Sequence, residues 1–136
     1  MFKSILIKKI TLFYTQCCAY IVVLCWCSLA HAEPIELGMS TSLSGPNQLL
    51  GRAMYLGMNA LFEEINQQGG IRGRMINLTV LDDGYEPDSV KVNTMQLIDQ
   101  HKVIAIVGNA GTPTAAIAAP LANARGVVFY GAFTGA

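Results

Sequence analysis

One run of residues stands out for the chemistry it could support. Gly108-Asn109-Ala110-Gly111-Thr112-Pro113-Thr114 combines glycines, hydroxyls and a proline in a single short stretch. Placed between a strand and a helix, its backbone N–H groups and hydroxyls gather at the helix N-terminus, where unpaired donors and the helix dipole favour an anion. A carboxylate suits such a place. The same residues also make an ordinary turn with Thr112 as a helix cap, and the residue types alone leave both readings open. A dinucleotide loop fits poorly, because the spacing is G-x-x-G instead of G-x-G-x-x-G and the run follows a third strand, not a first. The pair Asp82-Asp83 has the composition of a metal or acid–base site, yet neighbouring carboxylates at a strand end are expected to be solvated or to cap a helix.

Nucleophilic catalysis has little to draw on. After residue 32 there is no cysteine and one histidine, His101, which is expected near a helix end where a cation is favoured. Ser44 and Thr134 have no base at a recognisable spacing. The loops therefore read as holding a small polar molecule without transforming it, so no enzyme activity and no cofactor or metal is expected. The charge balance, 9 Lys+Arg against 9 Asp+Glu, has no polybasic or acidic tail and excludes a nucleic-acid partner of the usual kind.

The first 32 residues differ from the rest. Lys3, Lys8 and Lys9 precede an apolar stretch over Ala19–Leu29, and Ala30-His31-Ala32 has the small-x-small pattern of a secretory cleavage site. The charge-free run from Ile10 to Ala30 approaches the ~20 residues of a membrane span, but Thr11, Thr15 and Gln16 dilute it. A cleaved signal peptide over residues 1–32 and export to the periplasm are the expectation. All four cysteines and Trp26 fall in this leader, so residues 33–136 can form neither a disulfide nor a zinc–thiolate site and must be stabilised by burial alone.

The remainder alternates strand and helix. Ile35, Leu37 and Met39 alternate along a first strand, which gives way to the polar loop Ser42–Pro46. Met54, Met58, Leu61 and Ile65 then fall on one stripe of a helix that ends at Gly69-Gly70. A second strand covers Met75–Asp82. Pro87 opens a second helix, with Asp88 or Ser89 as caps and Val92, Met95 and Ile98 as its apolar positions. Val103–Val107 is a continuous apolar run of the kind buried on both faces of a parallel sheet. An alanine-rich helix follows towards Asn123, with Pro120 expected to kink or shorten it, and Val127–Tyr130 is a fourth strand. This order predicts an α/β fold with a doubly wound parallel sheet, whose ligand loops lie outside the carboxyl ends of the strands: Ser42–Pro46, Asp82–Asp88, Gly108–Thr114 and Gly131–Ala136.

With those segments in view, the chain resembles the type I periplasmic solute-binding proteins of ABC importers, in particular the branched-chain amino-acid (Leu/Ile/Val) and amide-binding group. The resemblance is carried by Ile35–Pro46 (IELGMSTSLSGP), Ile65–Arg74 (INQQGGIRGR), Leu81–Pro87 (LDDGYEP), Val107–Thr114 (VGNAGTPT) and Gly131–Ala136 (GAFTGA). It implies that the hydroxyl gripping a ligand carboxylate falls on Thr112, after Gly111, that the last loop meets the ligand at Phe133-Thr134-Gly135, and that Ser44 is the serine of the first loop. Leu50 stands where amino-acid binders often carry an aromatic, and the usual threonine of the last loop is displaced to Thr134 with Gly135 behind it. Tyr85 and Gly111 occupy two positions that some members join by a disulfide.

The resemblance further implies two lobes closing on a small-molecule ligand, an amino acid or related carboxylate or amide, with an ABC permease as membrane partner. The same fold also serves as the ligand-sensing domain of transmembrane signalling proteins. Two lobes need about 300 residues at ~150 per domain, so residues 33–136 are expected to be the N-terminal part of an incomplete first lobe. The expectation is a fragment of a longer reading frame or, failing that, a truncated product that does not bind ligand.

Overall fold

A computed structural model of the chain describes residues 32–135. The expected leader, with its cysteines and tryptophan, falls outside the described residues apart from Ala32 itself, as does Ala136. The elements follow in the predicted order: β1 (Ile35–Thr41), α1 (Gln48–Gln67), β2 (Ile76–Asp82), α2 (Pro87–Asp99), β3 (Ala105–Val107), α3 (Thr112–Ala124) and β4 (Val128–Tyr130). The strands form one sheet in the order β2-β1-β3-β4, with every neighbouring pair parallel. β1 runs in register with β2 from Ile35 opposite Ile76 to Thr41 opposite Asp82. The chain moves outward from β1 first to one side and then to the other, so the switch point lies between β1 and β3, where ligand loops diverge.

Successive side chains of β1 show that both faces are used. A Cβ on Gly38 would fall 3.1 Å from both δ-carbons of Leu97 in α2, whereas the Cε of Met39 lies with the Met58 side chain of α1 beside Gly108. α2 and α3 pack together on the first face. The core there joins Leu97, Val103, Ile106 and Ala122, with Leu81, Ile98, Val127 and Phe129 packed against them. Small residues on α3, Ala115, Ala118 and Ala122, are buried and let that helix approach closely.

Four expectations are corrected. On α1 the inward side includes half-buried Met54, Met58, Phe62 and Ile65, while Leu61 is 54% exposed: the 3.6-residue period places Phe62, not Leu61, over Met58. On α2 the buried stripe is Val90, Thr94 and Leu97, with Val92 at the surface and Met95 at its margin, because a threonine takes the middle inward position and breaks the apolar signal. Neither Asp88 nor Ser89 caps this helix: the N-cap is Glu86, with no side-chain bond, and Asp88 sits in the first turn. α3 runs past Pro120 to Ala124 without interruption, so the proline does not shorten it. The stop of α1 is as expected, with the Gly69 and Gly70 amides donating to the carbonyls of Asn66 (3.0 Å) and Ile65 (2.9 Å), the bond pair of a Schellman motif.

The second face is covered unevenly. α1 lies against β2, and beside it an apolar groove of about 600 Å³ runs between Met54, Met58 and Phe62 of the helix and Val107 and Tyr130 of the sheet. The run read as buried on both faces therefore splits: Ile106 is fully buried on the α2–α3 side, whereas Val107 is half-buried on the groove. Among the described residues, no helix is long and apolar enough to cross a membrane.

The first turn of α1 rests on the end of β1 at Gly51, where a Cβ would fall 2.1 Å from the Ser42 carbonyl oxygen. Alanine is the better helix former by about 1 kcal/mol, yet Gly51→Ala should lower the stability of the full chain by about 1–3 kcal/mol, as overpacking does. Urea denaturation checks this, and a gain in stability would contradict the close seat of α1 on Ser42.

Candidate functional site

The carboxyl ends of β1 and β2 are joined by two aspartates. Asp83 is 2% exposed and accepts hydrogen bonds from the Ser40 hydroxyl on one oxygen (3.0 Å) and from the Ser42 hydroxyl (3.0 Å) and the Tyr85 amide (2.9 Å) on the other. A buried carboxylate is costly unless its lone pairs are met, and here they are. Asp82 is exposed, and its Oδ1 accepts from the amides of Leu43 (2.8 Å), Ser44 (3.1 Å) and Gly84 (2.9 Å). The expectation that this pair is merely solvated or caps a helix is thus corrected: it organises the first two rim loops. Burial alone would push the Asp82 carboxyl up, but the Ser44 hydroxyl and the Gly84, Leu43 and Ser44 donors outweigh it and hold the group below its ordinary value.

The loops after β3 and β4 are zipped through their backbones. Gly108 N–H donates to the Tyr130 carbonyl (3.1 Å), Phe133 N–H to that of Asn109 (2.9 Å) and Gly111 N–H to that of Phe133 (2.9 Å). Fully buried Asn109 ties this half to the first, its Nδ2 donating to the Ser40 carbonyl at 3.2 Å. Its Oδ1, with the Ala110 and Gly111 carbonyls, surrounds the buried Thr114 hydroxyl at 3.0, 2.7 and 2.9 Å. Asn109 was not singled out from the sequence, and the Thr114 hydroxyl, expected with that of Thr112 at the anion site, is buried and turned onto Asn109 and two carbonyls instead. Their signal was an amide and a hydroxyl within a glycine-rich turn, which is also how exposed loops are written.

Gly111 is the N-cap of α3 and Thr112 its first helical residue, so the threonine does not cap, contrary to one of the two readings. Its side chain is exposed instead, beside first-turn N–H groups that have no intrahelical acceptor. Gly111 has φ of +105°, and a Cβ there would meet the Tyr85 ring at 2.3 Å (Cε2) and its hydroxyl at 2.9 Å. Tyr85 itself holds φ of +68°, following Gly84 at +58°. For a tyrosine this left-handed backbone costs about 1–2 kcal/mol, and the Asp83 carboxylate on its amide helps to hold it.

The structure brings Gly111, Thr112 and Phe133 together at one end of the sheet through the Ala110–Phe133 bridge, with half-buried Thr134 and exposed Gly135 next along the chain. Ser44 lies on the loop after β1, its amide bonded to the Asp82 carboxylate across from it. Leu50 is half-buried in the first turn of α1. Among the described residues, no group of three or more His, Cys, Asp or Glu could hold a metal ion.

A model of the periplasmic binding proteins matches residues 34–136. The chain belongs to that family. It is 31% identical over 106 residues to a Leu/Ile/Val-binding protein homologue of Brucella suis, covering 75% of this chain and 26% of that one. With an amino acid binding protein of Pseudomonas aeruginosa it shares 35% over 75 residues, 55% of this chain and 20% of the relative. Among solved structures it superposes on a possible leucine/isoleucine/valine-binding protein from Rhodopirellula baltica with a TM-score of 0.74 and 45% identity, over 78% of this chain and 29% of the other. The branched-chain amino-acid substrate-binding protein LivJ of Streptococcus pneumoniae, solved in complex with isoleucine, gives a TM-score of 0.70 and 32% identity over 73% and 29%. This periplasmic binding protein is thus of type I, in the group of the branched-chain amino-acid binders, and its relatives are binding proteins, not enzymes. It spans less than a third of the length of each of these four.

The Asp82 carboxyl makes an acid-sensitive link between the first two loops. Because its value is lowered on folding, the stabilisation is complete above the ordinary carboxylate range and is lost as pH falls through the folded value. Asp82→Asn keeps an oxygen acceptor and removes the titration. Below about pH 4 the wild type should therefore lose stability relative to this variant, seen as converging thermal melts; acid limbs that stay parallel would contradict the assigned donors.

Proposed function

We propose that this chain is the carboxylate-gripping portion of an extracytoplasmic solute-binding protein, which captures an amino acid or a related small carboxylate or amide and presents it to an ABC permease. Supporting this reading is one observation above the others: an exposed threonine hydroxyl, Thr112, opens α3 next to the zipped Gly111–Phe133 loops. A carboxylate placed there meets the Thr112 hydroxyl and the first-turn amides of Thr112 and Thr114, with the helix dipole in its favour. Proline at position 113 has no N–H to offer but fits the first turn. The isoleucine named with the Streptococcus pneumoniae relative makes a branched-chain amino acid the first ligand to try.

In this reading Thr112 and the Thr114 amide receive the carboxylate beside Gly111, whose own N–H is taken by the Phe133 carbonyl, while Phe133, Thr134 and Gly135 line the opposite side, and Ser44 and Leu50 border the cleft from the first loop and α1. The leader over residues 1–32 delivers the protein to the periplasm and is removed after Ala32.

Titration calorimetry of the full exported chain with leucine, isoleucine, valine and their amides tests the ligand class. Thr112→Ala should weaken binding by about 1.5–3 kcal/mol, the range for a hydrogen bond to a charged group. Unchanged affinity would remove Thr112 from the site, and absence of binding by every one of these compounds would reject the class. The intact mass of the exported product should begin at Glu33.

A further inference from the structure

The contact between Tyr85 and Gly111 joins two rim loops that the backbone bonds leave separate. The β2–α2 loop is held to β1 by Asp82 and Asp83, and the β3–α3 loop is held to the β4 loop by the Ala110–Phe133 bridge. Tyr85 crosses between them. Its ring edge, from Cε2 to the hydroxyl, occupies the space where any residue but glycine at position 111 would carry its Cβ, one residue before Thr112. The ring is half-buried, and the chain keeps it in place with a left-handed backbone at Tyr85 that a tyrosine adopts only under constraint.

We propose that Tyr85 is a positioning and selectivity residue: its ring seats the Gly111–Thr112 opening of α3 and walls the carboxylate end of the solute cleft. This rests on the amino-acid reading above and adds a residue that contacts no part of the ligand set except Gly111. The selectivity expected from such a wall is for a free carboxylate over its ester, whose added group would meet the ring. Removing the ring both loosens the donors and opens space behind the carboxylate.

The test uses the full exported chain with leucine and leucine methyl ester as probes. Glycine adopts a φ of +68° without strain, so Tyr85→Gly deletes the ring and spares the turn. In that variant leucine affinity should fall about tenfold, and the preference for leucine over its methyl ester should shrink by a further factor of about ten. Tyr85→Phe keeps the ring and should retain the preference; its loss there would overturn the role given to the ring. An equal weakening for both probes, with the preference intact, means that Tyr85 only supports the fold and overturns the proposal. Should wild type bind neither probe, the amino-acid reading fails on its own. Tyr85 is then judged by hydrogen exchange at the Thr112 and Thr114 amides, which must quicken in Tyr85→Gly, and unchanged exchange overturns the proposal. If the glycine variant does not fold, Tyr85→Leu, which lacks the ring, is subject to the same comparisons.

Discussion

The rim of this domain depends on one buried carboxylate. Asp83 sits just past the last residue of β2 with almost no solvent contact, and each of its oxygens has a donor from a neighbouring segment. An unpaired charge in that position would be strongly unfavourable, so the Ser40 and Ser42 hydroxyls and the Tyr85 amide are obligatory partners. Their positions follow from the sheet: β1 and β2 are parallel and in register up to Thr41 and Asp82, which places the serines on either side of Thr41 within reach of the following aspartate. Asn93 of α2 adds a donor to Ser40 at 3.3 Å and another to the Asp82 carbonyl at 3.0 Å. From the same Ser40, through its carbonyl, Asn109 extends the network to β3 and the opening of α3. One polar chain thus runs from α2 through β1 to the opening of α3.

The two faces of the sheet differ, one closely packed and one open. On the α2–α3 side, Leu97 fills the space left by Gly38, and Ala122 admits α3 to within contact of Ile106 and Val103. On the α1 side, Tyr130 is 73% exposed and the groove between helix and sheet is walled by methionine, phenylalanine and tyrosine side chains. The apolar sequence of β3 is the same for both faces. What differs is the helix above each, since α1 follows β1 and lies over β2, while α2 and α3 together cover the centre.

The rim loops after β3 and β4 are held from below. The opening of α3 is placed by the backbone bond from Gly111 to Phe133 and, behind it, by the Asn109–Thr114 side-chain pair, which is buried. Asn109, fully buried behind that opening, therefore acts on it indirectly, through the backbone donors it holds in place.

The sequence by itself determined the element order, the parallel sheet, the glycine stop of α1 and the run that opens α3, because period, chain punctuation and glycine at left-handed positions are local properties that residue types express directly. Leu61, Val92 and Met95 were misplaced for a related reason: with Phe62 and Thr94 beside them, the pattern admits more than one stripe, and contact with a particular strand decides which faces inward. Only the tertiary structure decided the rest. Asp83 as a buried anchor, Asn109 as the tie to Ser40 and Tyr85 against Gly111 join residues 43, 69 and 26 positions apart. Asp, Asn and Tyr in a glycine-rich loop look alike whether solvated or buried, and their roles are set by which parallel strands stand next to each other.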